Sequence, residues 1–246
     1  MHKIIKDISI NYSSYGNKGA QAIVLLHGWG QNIDMMQPVG DLLKKDYHII
    51  LVDLPGFGNS EEPKAVYSVY DYVDTIKQLL DKLNISEPIM IGHSFGGKIS
   101  LLYASLHKTK KLVVFGSPYD NSVKKMSMKT KVLKMVKHIP LIKKFEHVAK
   151  RHMGSVDYRS STHIMRQVLT DTVNRSIVSE LSKINCPTLI IWGSEDKAVP
   201  ISEAYRLEKL IKNAAVIEYP YASHYAYLEN LGQTSRVLKV FFTGKE

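Results

Sequence analysis

Two rhythms of apolar residues alternate along the chain. Short runs at residues 22–26, 47–52, 88–91, 111–115, 188–192 and 215–219 are β-branched or apolar almost throughout and predict strands. A strand with one face in water alternates strictly, whereas one covered on both faces reads as a continuous apolar run. Between these runs, residues 35–45, 69–83, 95–106, 202–211 and 225–242 carry apolar positions at helical spacing. The implied architecture is α/β: a mostly parallel, doubly wound sheet with helices on both faces. Residues 4–14 instead alternate apolar and polar, and predict an antiparallel edge strand or hairpin.

The rhythm breaks once. From residue 120 to 182 no strand pattern appears, and Met126, Val132, Leu133, Met135, Val136 and Ile139, then Ile164, Val168 and Leu169, suggest amphipathic helices. We read this stretch as a helical cap inserted into a single domain spanning residues 1–246, a length that buries one sizeable core. It holds 13 Lys and Arg against 5 Asp and Glu, and so carries +8 of the chain's formal +10. One reading puts these basic side chains in water while the apolar stripe packs over the sheet. The other makes them a dock for an acidic partner or an anionic substrate.

Candidate chemistry gathers just beyond the strand ends. Gly92-His93-Ser94-Phe95-Gly96-Gly97 lies between the run 88–91 and the helix 95–106, so Ser94 sits on a sharp strand-to-helix turn. Glycines two residues to either side make room for a strained backbone, and the helix aims its free N–H groups at an incoming oxyanion. Serine becomes a useful nucleophile when a base takes its proton and an acid orients that base. Strand 188–192 is followed by Gly193-Ser194-Glu195-Asp196, which offers Asp196 as the acid, with Asp120 as its main rival and Glu195 as a neighbour. Of ten histidines, His224 stands out, because it follows strand 215–219 on the loop that opens the last helix. Two backbone donors would complete an oxyanion site: the N–H of Phe95, and that of Trp29 in His27-Gly28-Trp29-Gly30 after strand 22–26. The Trp29 indole and His93 are assigned to the wall of the substrate pocket.

Other chemistries fit less well. Gly92 and Gly97-Lys98 nearly spell a phosphate-binding loop, but Ile99 stands where a Mg²⁺-binding Ser or Thr is needed. Gly56-Phe57-Gly58 resembles the start of a dinucleotide fingerprint, but Glu61 replaces its third glycine. No Cys or His cluster has metal-ligand spacing, so neither metal nor cofactor is expected. Cys186, the only cysteine, reads as a small core residue. The charge comes without a nucleic-acid recognition motif. Residues 1–15 lack a secretory pattern and no run approaches the ~18 apolar residues of a membrane span, so a cytoplasmic location is expected.

Taken together, His27-Gly28-Trp29-Gly30, Asp53-Leu54-Pro55-Gly56-Phe57-Gly58-Asn59-Ser60, Gly92 to Gly97, the Gly193 to Asp196 turn and His224 resemble the α/β-hydrolase superfamily. The resemblance spans nearly the whole chain. It implies Ser94 as nucleophile, Asp196 as acid, His224 as base, and Trp29 and Phe95 as oxyanion amides. It further implies a small-molecule ester or thioester substrate cleaved through an acyl-enzyme. The His-Gly-Trp-Gly and Asp-Leu-Pro-Gly-Phe-Gly motifs are also similar to those of pimeloyl-acyl-carrier-protein methyl esterases, which makes an acidic acyl-carrier protein a candidate partner. Superfamily members that cleave haloalkanes or epoxides use an elbow aspartate, and Ser94 argues against both. Carbon–carbon hydrolysis, peracid formation, lyase chemistry and a non-catalytic ligand receptor are the alternatives.

Overall fold

The computed structural model describes residues 1–120 and 162–244. Eight strands form one sheet: β1 His2–Ile5, β2 Ile8–Gly16, β3 Ala22–Leu26, β4 His48–Val52, β5 Ile89–His93, β6 Lys111–Phe115, β7 Thr188–Gly193 and β8 Ala214–Tyr219. Their order is β1-β2-β4-β3-β5-β6-β7-β8. The six strands β3 to β8 are mutually parallel, and β2 joins β4 antiparallel. β1 and β2 form the expected hairpin. Its two turn residues, Lys6 and Asp7, both have positive φ, 48° and 61°, as a two-residue turn matching the strand twist requires.

The uniform apolar runs follow from burial on both faces. Val24, Leu26, Ile50, Val52, Met90, Leu112, Val114, Ile190 and Trp192 enter one core cluster. Their neighbours Ile23, Leu25, Ile49, Leu51, Ile89, Ile91, Val113, Leu189 and Ile191 enter a second. Alternate residues point to opposite faces, so each face needs its own helices. Helices α2 (Val69–Lys82), α3 (Phe95–Leu106), α4 (His163–Asn174) and α6 (Ser202–Leu210) cover the first face. Helices α1 (Gln37–Leu43), α7 (Ala226–Glu229) and α8 (Leu231–Thr243) cover the second.

Two helices depart from expectation. The stretch 35–45 opens as a 3-10 turn, Ile33–Met35, before α1 begins with Pro38 in its first turn, where the missing N–H costs nothing. The single helix expected over 225–242 is divided, because Asn230 leaves the helical region at φ −119°, ψ 47°. Asn230 and Gly232 are both weak helix formers, which makes this the natural place to break. In the expected cap, residues 162–182 hold α4 and the short helix α5, Val178–Leu181, and no strand. Met126, Val132, Leu133, Met135, Val136 and Ile139 lie outside the described residues. Among the described residues no helix is long and apolar enough to cross a membrane.

Candidate active site

The sequence expectations meet at the carboxyl edge of β3, β5, β6, β7 and β8. Ser94 links β5 to α3 with φ 51° and ψ −112°, a strained conformation for any residue with a Cβ. Such strain costs of order 1–3 kcal/mol and survives only where the surroundings overdetermine it. Here they do. The Ser94 N–H donates to Phe115 O at 2.9 Å, and the Gly96 N–H donates to His27 O at 3.0 Å. A side chain at Gly96 would run into the Leu26 and His27 carbonyls, so glycine lets α3 seat against the end of β3. The Phe95 N–H is the first of α3 and has no acceptor within the helix.

Asp196 and His224 come from loops after β7 and β8. Asp196 Oδ2 lies 2.7 Å from His224 Nδ1. Its other oxygen accepts the N–H groups of Ala198 and Val199 at 2.7 and 2.9 Å, so the carboxylate is fixed at both ends. A carboxylate only accepts, which puts the ring proton on Nδ1 and leaves Nε2 of a neutral ring as the proton acceptor. Gly116 shows how near the pair lies to the strand end that holds the Ser94 backbone. It follows β6 with φ 53°, and a Cβ there would sit 2.9 Å from His224 Nδ1 and 3.2 Å from Asp196 Oδ2. Ser94 hangs from Phe115 and the Asp196–His224 pair lies over Gly116, so consecutive residues of one strand end carry all three.

The rival acids stand elsewhere. Asp120 pairs with Arg206 at 2.9 Å. Glu195 is exposed, and its N–H donates to Ala222 O at 2.9 Å.

Trp29 is half-buried and packs edge-on against Phe57 at 4.8 Å, with the Phe95 ring at 5.3 Å. The loop that carries it is braced by His27. That ring donates from Nδ1 to Gly28 O at 2.7 Å and accepts the Leu54 N–H on Nε2 at 3.0 Å. Both bonds suit a neutral ring, and burial lowers the His27 pKa.

His93 is a correction. Expected in the pocket wall, it is fully buried beneath the site. Its Nε2 donates to His224 O at 3.1 Å, its Nδ1 lies 3.3 Å from Gln31 Oε1, and Tyr225 and Tyr227 cover its ring. The cause is strand alternation: His93 follows Ile89 and Ile91 on the second face. Burial, reinforced by nearby His224, holds its pKa well below the usual 6.5, so the ring is neutral.

Three residues make supporting bonds that the sequence does not announce. Gln31 accepts the Gly28 N–H at 2.9 Å and donates to Tyr225 OH at 3.0 Å, tying the Trp29 loop to the residue after His224. Asp53, fully buried, accepts from Ile33 N, Asn11 Nδ2 and Asn59 N, each at 2.8 Å. It thereby locks the loop after β3 to the loop after β4. An aspartate directly after an apolar strand was the available signal for that role. Lys98, one turn into α3, is 2% exposed and hydrogen-bonded outside its own helix.

Known proteins place this arrangement in context. The chain is 26% identical to Lipase 3 of a Moraxella species, over 95% of this chain and 81% of that protein. It is also 26% identical to a 2-hydroxy-6-oxononadienedioate/2-hydroxy-6-oxononatrienedioate hydrolase of Burkholderia vietnamiensis, over 96% of this chain and 91% of that protein. The enol-lactonase of Burkholderia xenovorans LB400 shares the fold with a TM-score of 0.85 at 20% identity, across 99% of this chain and 100% of that one. The profile of the α/β hydrolase fold matches residues 21–138 and 117–231, which with the eight-stranded sheet and its strained elbow makes this chain a member of the α/β-hydrolase family.

Proposed function

We propose that the protein is a serine hydrolase acting on carboxylic esters or thioesters, with Ser94 as nucleophile, His224 as base and Asp196 as its orienting acid. The reading rests above all on the 2.7 Å contact between Asp196 and His224 beside a serine at φ 51°. Ser94 Oγ attacks the acyl carbon while His224 Nε2 takes its proton. The Trp29 and Phe95 N–H groups receive the charge on the carbonyl oxygen, where one such donor contributes about 3–4 kcal/mol. His224 then hands the proton to the departing alkoxide or thiolate. Water, deprotonated by the same ring, attacks the acyl-enzyme and releases the acid. Asp196 stabilises the imidazolium in both halves of the cycle without itself taking the proton.

An ester panel of graded acyl length, with a carrier-protein methyl ester included, tests the reading alongside fluorophosphonate labelling. Wild type should label at Ser94, and Ser94→Ala should lose label and at least ~10⁴-fold of kcat. Turnover that survives Ser94→Ala removes the nucleophile assignment. A wild type that neither labels nor turns over leaves a ligand receptor. The hydrolase from Burkholderia vietnamiensis favours a second reading, carbon–carbon cleavage by the same three residues. Including 2-hydroxy-6-oxononadienedioate in the panel distinguishes it.

An acidic acyl-carrier protein is the partner that the basic stretch 120–182 supports. Turnover of a carrier-bound ester should then fall steeply with added salt while a small neutral ester responds little. Equal responses remove the partner. The location proposed is the cytoplasm, which cell fractionation tests.

A further inference from the structure

Lys98 is the residue that made the elbow resemble a phosphate loop, yet its ammonium is buried against backbone carbonyls. It is 2% exposed and donates to Thr172 O at 2.7 Å and Arg175 O at 2.5 Å. These carbonyls belong to the last turn and cap of α4, so a side chain from the elbow helix closes the carboxyl end of a different helix. A cation suits that end, where unpaired carbonyls and the helix dipole concentrate negative charge. Burial brings its pKa from 10.5 down to about 8, with Asp120 and Asp171 opposing that shift and Arg175 adding to it, so the group is charged at neutral pH. Burying a lysine is costly, and an apolar side chain would fill the space more cheaply. An apolar residue could not hold the two carbonyls.

The other end of α4 reaches the loop after β4. Thr162 caps the helix by accepting the Met165 N–H at 3.3 Å and donates to Glu62. Met165 Sδ and Cε lie 2.5 Å from where a Cβ at position 56 would stand. Position 56 adjoins Phe57, whose ring packs on Trp29 at 4.8 Å. A shift of α4 therefore bears on the loop that carries Phe57 and, through the Phe57 ring, on Trp29.

We propose that Lys98 is a positioning residue: by gripping the carboxyl end of α4 it sets where Met165 stands, and so how long an acyl chain the site accepts. The selectivity part rests on the ester-hydrolase reading; the grip does not.

The test compares wild type, Lys98→Met and Lys98→Gln, which keeps a single amide donor, in the full chain. Amide hydrogen exchange is followed across residues 163–181 and, as control, 99–106. Steady-state kinetics use p-nitrophenyl acetate and p-nitrophenyl octanoate. In Lys98→Met, exchange over 163–181 should rise at least tenfold while 99–106 stays within about twofold. The octanoate kcat/KM should fall at least tenfold, chiefly through KM, with the acetate within about threefold. Lys98→Gln should fall between, and it carries the test alone if the Met variant does not fold. Unchanged exchange over 163–181, or equal loss of protection in 99–106, overturns the grip. A rise in exchange with no change in the octanoate-to-acetate ratio overturns the selectivity role. A rise in exchange in a protein whose wild type hydrolyses neither ester and takes no fluorophosphonate keeps the grip and sinks the hydrolase reading.

Discussion

The rim of the candidate site and the floor beneath it present the same side chain under opposite conditions. His224 on the rim and His93 in the floor have ring centres 4.8 Å apart. Asp196 takes one nitrogen of His224, and the proposed chemistry falls to the other. In His93 both nitrogens face protein atoms, and burial keeps the ring neutral. Residue type and proximity to Ser94 therefore do not decide which histidine can act as a base. What decides is an uncommitted nitrogen and a partner that stabilises the charged form. The floor contributes stiffness, since His93 grips the His224 backbone and Gln31 links the Trp29 loop to Tyr225.

The comparison breaks most visibly at the acid. Replacing Asp196 with Asn removes the acceptor that fixes the His224 tautomer, and kcat on a cleaved ester should fall by roughly 10⁴-fold, about 5.5 kcal/mol. Asp120→Asn should stay within about threefold, because that carboxylate already serves Arg206. Steady-state kinetics of both variants decide the point, and a larger loss in Asp120→Asn would reverse the assignment.

A floor variant should cost stability before it costs chemistry. His93→Leu leaves the His224 carbonyl without its buried donor, a penalty of about 1–3 kcal/mol. In a chain of this size each kcal/mol lowers Tm by about 2–4 °C. Calorimetry and kinetics on one sample separate the regions: a stable His93→Leu that loses 10⁴-fold in kcat would place His93 on the rim.

Much of this division was legible in the sequence, and the illegible part has specific causes. Strands 22–26 and 111–115 and helix 95–106 stand where their patterns put them, because burial on both faces leaves few other ways to read such runs. Ser94, Asp196 and His224 could be picked out because each lies on the turn or loop that follows a strand. The sequence favours Asp196 over Asp120, and the folded chain pairs Asp196 with His224 and Asp120 with Arg206, a division of partners that no local pattern displays. His93 was misplaced although strand alternation, carried two residues past Ile91, would have sent it below the sheet. Gln31 reaches the Tyr225 hydroxyl and Lys98 the Thr172 and Arg175 carbonyls, all distant in sequence, and no local pattern announces such bonds.

Acid should also tell floor from rim. The unfolded chain takes protons on its histidines near pH 6.5, whereas buried His93 and His27 resist them. The unfolded state then binds more protons, so stability is full above pH 6.5 and declines as pH falls toward the depressed folded values. Each such histidine contributes a slope of up to about 1.4 kcal/mol per pH unit. Urea midpoints at pH 7.5, 6.5 and 5.5 should fall more steeply in wild type than in His93→Leu. Parallel slopes would mean that the His93 ring is not held neutral.

The smallest effect is the most discriminating, because it asks whether the floor communicates with the rim at all. Gln31→Leu keeps the volume but removes the acceptor for the Gly28 N–H and the donor to Tyr225 OH. Stability should drop by about 1–3 kcal/mol, because the Gly28 N–H is left buried without its acceptor. The Trp29 loop would still be held by His27 and Asp53, so the proposed oxyanion donor should move only slightly. We expect kcat to fall by less than tenfold with KM nearly unchanged, since a loosened donor is felt mainly in the transition state. A loss as deep as that of Asp196→Asn would make Gln31 part of the reacting constellation. No change in kcat at all would make the floor a scaffold mechanically separate from the rim, its bonds to the Trp29 loop and to Tyr225 notwithstanding.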